Sequence, residues 1–218
     1  MLTVLRVDAS ARNERSLSRK LADKYIDALC RACPDADIVT RDVGSRPPPF
    51  VTEAWIAAAF KAPEDRSPHE QAVLEVSDQL IAEVKSADLI VVASPLYNYG
   101  MPATLKAWVD QIVRVGKTFD FDLARGDFPI EPMLSGKKLV VLTSSGEFGF
   151  APGGIRQNQD HLTSHLQTVA KYIGAESVDV IRIEYQEFGD ERHETSKNAA
   201  FQMAEAQGRK LGQLQAAA

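Results

Sequence analysis

The chain has 218 residues, 44% of them hydrophobic and 25% charged, with a formal net charge of −5. That length buries a core without disulfide or metal staples, and the acidic balance argues against a nucleic-acid backbone as the main partner, because phosphate binding wants a basic surface. The longest unbroken apolar run, 54–60, is far short of a membrane span, and "MLTVLRV" at the start is not a leader pattern; the expectation is a soluble, cytoplasmic protein with no membrane partner.

Taken in order, residues 2–7 read as a short buried strand and "DASARNER" as a polar loop. From Ser16, Leu17, Leu21, Tyr25 and Leu29 recur at helical spacing up to Pro34. "DIVTR" at 37–41 reads as a second strand. An irregular excursion over 43–66 follows, carrying "RPPPF" and "KAPEDRSP" around a short helical stretch, "VTEAWIAAAF". Excursions of that length in compact domains serve as lids or interface elements. "SPHE" at 67–70 is a helix start with a capping serine, a proline at the first helical position and a reciprocal glutamate. A third strand, 89–93, leads through "SPLYNYGMP" into a helix bearing Leu105, Trp108, Val109 and Ile112. "KKLVVLTSSGEFGFAPGG" supplies a fourth strand and a glycine-rich loop. A helix, a stop at Gly174 and a fifth strand follow, and a weaker helix over 194–213 closes the chain.

Short apolar strands alternating with helices predict an α/β fold with a doubly wound parallel sheet covered on both faces. Five strands favour the flavodoxin-like order 2-1-3-4-5, and nothing divides residues 1–218 into more than one domain. Ligands of such sheets bind beyond the carboxyl ends of the strands at the switch point, so the loops after strands one, three and four are the candidate site. The first holds Ser10, Ser16 and Ser18, whose hydroxyls at a helix start suit a phosphate; a helix cap is the competing role of Ser16. The second, Leu96, Tyr97, Asn98 and Tyr99, is a rigid aromatic turn bracketed by prolines, suited to a flat ring with a polar edge, or else a plain strand-to-helix turn. The third, Ser144, Ser145, Gly146 and Glu147, is small enough for close backbone approach. No P-loop and no G-x-G-x-x-G motif is present.

Cys30 and Cys33 are spaced C-x-x-C but close a helix rather than open one, so reduced, core-facing thiols are expected instead of a redox pair. His69, His161, His165 and His193 lack metal-site spacing, and no metal is expected.

The same residues carry a resemblance. Ser10 with Ser16-Leu17-Ser18, "SPLYNYGMPATLKAWVDQIVRVGKTF", "GKKLVVLTSSG" and "YIGAESV" are similar to the FMN-dependent NADH-azoreductases, which are also NADH:quinone oxidoreductases. The likeness spans nearly the whole chain. It implies that Ser10, Ser16, Leu17 and Ser18 hold the FMN phosphate, that Leu96, Tyr97, Asn98 and Tyr99 line the isoalloxazine, and that Ser144, Ser145, Gly146 and Glu147 meet its other polar edge. It implies two-electron transfer from NADH or NADPH to quinones and azo compounds by a ping-pong cycle, with no obligatory catalytic side chain. It also implies a homodimer with sites at the interface. The 43–66 excursion would then cover the partner's site, with Trp55 and Phe60 shaping it and Phe121 helping from the same chain. Two departures stand out: Glu147 where the family often has a second glycine, and a long "FDFDLARGDFPIEP" segment. The rival readings are a flavodoxin-type electron carrier, a flavin-free α/β module, and a flavin reductase for nitro compounds or metal oxyanions.

Overall fold

A computed structural model describes residues 1–216. The elements run β1 (Thr3–Asp8), α1 (Leu17–Ala32), β2 (Asp37–Asp42), α2 (Glu53–Phe60), α3 (Pro68–Ser86), β3 (Leu89–Pro95) and α4 (Ala103–Ile112). They continue β4 (Phe119–Phe121), β5 (Ile130–Pro132), β6 (Lys137–Ser144), α5 (Thr163–Val169), β7 (Ala175–Ile183) and α6 (Glu191–Ala216). The main sheet has five parallel strands in the order β2-β1-β3-β6-β7. Counting only its own strands in chain order, that is the predicted 2-1-3-4-5.

β3 occupies the centre because every one of its residues is apolar or small and all seven are buried. One face of the sheet packs on α3, α4 and α5 through Leu80, Val84, Leu105, Trp108, Ile112 and Leu166. The other packs on α1 and α6 through Leu21, Tyr25, Leu29, Ala204 and Leu211. Each fully buried Leu, Ile or Val side chain contributes roughly 1.5–3 kcal/mol, so the two cores dominate stability.

α3 begins with the capping box that "SPHE" predicts, Ser67 Oγ accepting from Glu70 N and Glu70 accepting from Ser67 N at 2.7 Å. α6 is longer than its weak pattern suggests. Its small residues let it lie against α1: a Cβ at Gly208 would sit 2.2 Å from the Tyr25 carbonyl, and one at Gly212 2.7 Å from that of Leu29. Tertiary packing overrides modest propensity there. Cys33 is buried at the end of α1 and Cys30 packs beside it, both as free thiols. Burial pushes the Cys30 thiol up.

The excursion holds α2, and here one expectation needs correction. Trp55 is not offered to a partner. It is buried with Ala58, Ala59 and Leu74, and its Nε1 donates to Gln111 Oε1 at 2.9 Å. Gln111 Nε2 in turn donates to the Pro49 carbonyl at 2.8 Å, which pins the excursion onto α4. Phe50 and Phe60, each 69% exposed, are the aromatic residues the excursion leaves outward. The 119–132 segment folds as a small antiparallel hairpin, β4 with β5, whose strands the alternating pattern did not announce.

Candidate functional site

The carboxyl ends of β1, β3 and β6 converge on one edge of the sheet, and the segment after β7 closes it. The loop after β1 is built around Arg19 of α1. Its guanidinium donates to the Ser10 carbonyl at 2.8 Å, to the Arg12 carbonyl at 3.0 Å and to Asp42, and it lies 3.4 Å from Asp8. Burial pushes the Asp8 carboxyl above its usual range against the pull of Arg6 and Arg19. Burial also presses on Asp42, but bonds from Arg19 and Ser45 overcome it and hold that carboxyl at about 2. Ser10 Oγ accepts from Arg12 N at 3.2 Å, tightening the loop.

Ser16 is the cap of α1 and also a lining residue of the cleft. Its Oγ accepts from Arg19 N at 3.3 Å. Ser18 sits behind it, fully buried, with its hydroxyl 3.2 Å from Ser16 Oγ. Ser18 therefore supports Ser16 rather than facing the opening.

The "YNYG" turn is a two-residue reversal. Tyr97 and Gly100 exchange backbone hydrogen bonds at 3.0 and 2.9 Å, and Asn98 and Tyr99 both take left-handed backbone angles, φ 48° and 64°. That is the primed turn geometry; asparagine tolerates it and tyrosine does not favour it. Not every backbone group from Leu96 to Tyr99 is free for a ligand. Leu96 N donates to the Ser144 carbonyl at 2.8 Å, and the Tyr99 carbonyl accepts from His161 N at 2.9 Å.

The loop after β6 is braced along its length by the segment after β7. Ser145 N donates to the Ile183 carbonyl, Gln186 N to that of Ser145, Glu187 N to that of Gly146 and Tyr185 N to that of Glu147. The Glu187 side chain lies across Gly146, where an added Cβ would come within 2.4 Å of Glu187 Cγ. Phe148 stacks on Tyr185 at 4.4 Å, and Arg156 lies over its other side at 4.9 Å. The glycine-rich loop is thus a wall, not a free tether.

Two chambers result. The inner one, about 100 Å³, is lined by Ser10, Ser16 and Leu17, by Leu96 and Tyr97, and by Ser144 and Gly146. Arg12, Arg15, Gln186 and Glu187 complete it. The outer one, about 230 Å³, is lined by Leu96, Asn98, Tyr99, Ser145, Gly146 and Glu147, with Phe150 and Glu187. Leu96, Gly146 and Glu187 belong to both, so one elongated ligand running through the pair passes between them. Arg12 and Arg15 line the same chamber as Ser10 and Ser16, and neither makes an ion pair among the described residues. Sequence reasoning overlooked both. The "ARNER" loop carries them in plain view, but only the fold shows which of its three neighbouring arginines Asp8 and Asp42 consume. Gln186 and Glu187 had no sequence signal; they follow the last strand, outside the switch point.

The flavodoxin-like fold model matches residues 2–207. An FMN-dependent NADH:quinone oxidoreductase of Idiomarina loihiensis is 49% identical over 212 residues, covering 94% of this chain and 88% of that one. The chain belongs to the FMN-dependent NADH:quinone oxidoreductase family. A second member of that family, the FMN-dependent NAD(P)H:quinone oxidoreductase 1 of Pseudomonas aeruginosa, is 45% identical over 203 residues, covering 93% and 96% of the two chains. An azoreductase crystal structure from Bacillus anthracis shares the fold with a TM-score of 0.85 at 24% identity, covering 96% of this chain and all of that one.

The residues present fit the family's cofactor. FMN ends in a phosphate, and the inner chamber is lined by two arginines without an ion pair among the described residues and by Ser10 and Ser16 at the start of α1. The unsubstituted Gly146 lets the backbone approach where a side chain would collide with Glu187. The outer chamber supplies aromatic and amide walls for a ring.

Proposed function

We propose that this chain is a single-domain FMN-dependent oxidoreductase that moves two electrons from NADH or NADPH to quinones and azo compounds. The observation that carries the reading is the pair of linked chambers, cationic at the inner end and aromatic at the outer, in a chain 49% identical to an FMN-dependent NADH:quinone oxidoreductase. FMN supplies the redox chemistry when bound.

The protein's part is to bind, orient and exclude. Arg12 and Arg15 neutralise the phosphate, while Ser10 and Ser16 fix it by directed hydrogen bonds. Ser18 and Arg19 hold those groups in register from behind. Leu96 to Tyr99 form one wall of the ring site and Ser144 to Glu147 the opposite one. The outer chamber then receives two successive substrates on one face, in a ping-pong cycle.

A homodimer, with sites at the subunit interface, is the assembly we infer. Phe50, Ile56 and Phe60 around α2, and Leu123, Phe128 and Ile130 at the hairpin, leave apolar surface that a second copy would cover. No helix among the described residues is long and apolar enough to cross a membrane, and two unpaired cysteines suit a reducing compartment such as the cytoplasm.

The test is the visible spectrum of the purified protein before and after anaerobic NADH addition. A yellow protein that bleaches within the mixing time and is reoxidised by a quinone supports the reading. A yellow protein that bleaches only with dithionite identifies an electron carrier instead. A colourless protein that takes up no added FMN refutes it.

A further inference from the structure

The rim of the outer chamber has a fixed hydrogen-bond polarity. Tyr99 Oη donates to Glu147 Oε2 at 2.7 Å. The other oxygen, Glu147 Oε1, lies 3.0 Å from Arg156 Nη2. Arg156 Nη1 donates to the Phe148 carbonyl at 3.0 Å, and its guanidinium rests on the Phe148 ring, itself stacked on Tyr185. This chain of contacts fixes a direction. A phenol has one proton, a guanidinium only donates, and a carboxylate facing one only accepts. The Tyr99 proton is therefore committed to Glu147, and the phenol oxygen turns lone pairs toward the chamber. The hydrogen bond also raises the Tyr99 pKa, which keeps that proton in place.

The neighbouring side chains repeat the pattern. Ser145 Oγ spends its proton on the Glu147 carbonyl at 2.9 Å. Glu187 makes no ion pair among the described residues and is acceptor-only. Asn98 alone among the lining side chains keeps N–H donors. The hydroxyl and carboxylate side chains of this rim favour a ligand that brings hydrogen-bond donors. Quinone carbonyls bring none, whereas the nicotinamide of the electron donor carries a primary carboxamide. Tyr99 is 44% exposed, so its phenol oxygen stands open to a ligand in the chamber.

We propose that Tyr99, with its proton held by Glu147, accepts a hydrogen bond from the carboxamide N–H of the reduced nicotinamide, and that this contact separates electron donor from acceptor at a shared site. Tyr99 makes the contact; Glu147 is a positioning residue that sets its polarity. The inference rests on the oxidoreductase reading above. It also gives a role to Glu147.

The experiment uses the FMN-loaded wild type, Tyr99→Phe and Glu147→Gln. Flavin bleaching by NADH is compared with bleaching by reduced 3-acetylpyridine adenine dinucleotide, in which an acetyl group replaces the amide and brings no N–H. Each variant is expected to lose about tenfold of the wild-type preference for NADH over the analogue, the effect of one hydrogen bond to an acceptor in a charge-linked network. The KM for menadione should move far less than that for NADH. An equilibrium readout accompanies the rates: nicotinamide and 3-acetylpyridine are titrated into the oxidised holoenzyme and followed by the flavin absorbance. Both variants should lose the wild-type preference for nicotinamide. If Tyr99→Phe does not fold, the near-isosteric Glu147→Gln carries the test alone, because it frees the Tyr99 proton without removing the ring. Unchanged ratios in a folded variant, with wild type still bleached by NADH, overturn this inference and leave the oxidoreductase reading standing. A wild type that NADH does not bleach overturns both.

Discussion

Gly44→Ala tests whether the phosphate end of the cleft is set from behind. Gly44 follows β2 and lies against the Ser10 loop, with its N–H donating to the Asp8 carbonyl at 3.0 Å. An added Cβ would sit 2.1 Å from the Ser10 carbonyl oxygen and 2.7 Å from its carbon, against an ordinary contact of 3.4 Å or more. The obstacle is backbone, so the loop must move by about 1 Å. Overpacking of this kind costs about 1–3 kcal/mol. The displaced carbonyl also loosens the 2.8 Å bond from Arg19, a loss of roughly 1 kcal/mol. Replacing glycine by alanine returns about 0.4–1 kcal/mol through the unfolded state. The net is a destabilisation of about 1–4 kcal/mol, or a fall in Tm of roughly 2–15 °C for a chain of this size. Because the moved atoms carry Ser10 and Arg12, FMN affinity of the apoprotein should fall tenfold or more, measured by quenching of flavin fluorescence. An apoprotein Tm within about a degree of wild type, with unchanged FMN affinity, would refute the account of the loop.

Three further expectations follow from the same structure. Arg12→Gln and Arg15→Gln should each weaken FMN binding while leaving riboflavin, which lacks the phosphate, nearly unaffected, and should flatten the dependence of FMN affinity on salt; equal losses for both flavins would remove the arginines from the phosphate site. Asp42, held at about 2, contributes stability that is present above its ordinary range and lost as pH falls from about 4 toward 2. In urea unfolding, the deficit of Asp42→Asn should therefore be larger at pH 6 than at pH 3, and a deficit independent of pH would contradict the assignment. Trp55→Phe strands the buried side-chain oxygen Gln111 Oε1 and should cost about 1–3 kcal/mol with little change in FMN affinity; a loss of FMN binding equal to the loss of stability would show that the excursion shapes its own subunit's site.

The sheet was legible because its evidence is local and repeated. β3 is a continuous apolar run ended by Pro95, and α3 announces itself through Ser67, Pro68 and Glu70. Strand order followed from the number of strands and the switch-point rule. The candidate site was legible where its lining residues follow strands one, three and four. What escaped depends on distance in sequence. Arg12 and Arg15 are distinguishable from Arg19 only once Asp8 and Asp42 are brought beside the last of them. Glu187 reaches Gly146 only because the segment after β7 pairs with the loop after β6. Trp55 looks like a partner's lid until Gln111, far along the chain on α4, is seen to accept a hydrogen bond from its indole N–H. The β4–β5 hairpin has only three residues in each strand, too few for alternation to register.

The left-handed turn at Asn98 and Tyr99 has a consequence for how this protein evolves or is engineered. Glycine at position 99 would relieve the backbone, and a screen for thermal resistance would reward that exchange. The same exchange deletes the phenol that faces Glu147. Durability and discrimination between substrates thus compete at a single codon, and variants hardened at this turn should be the ones that lose track of which molecule gives electrons and which receives them.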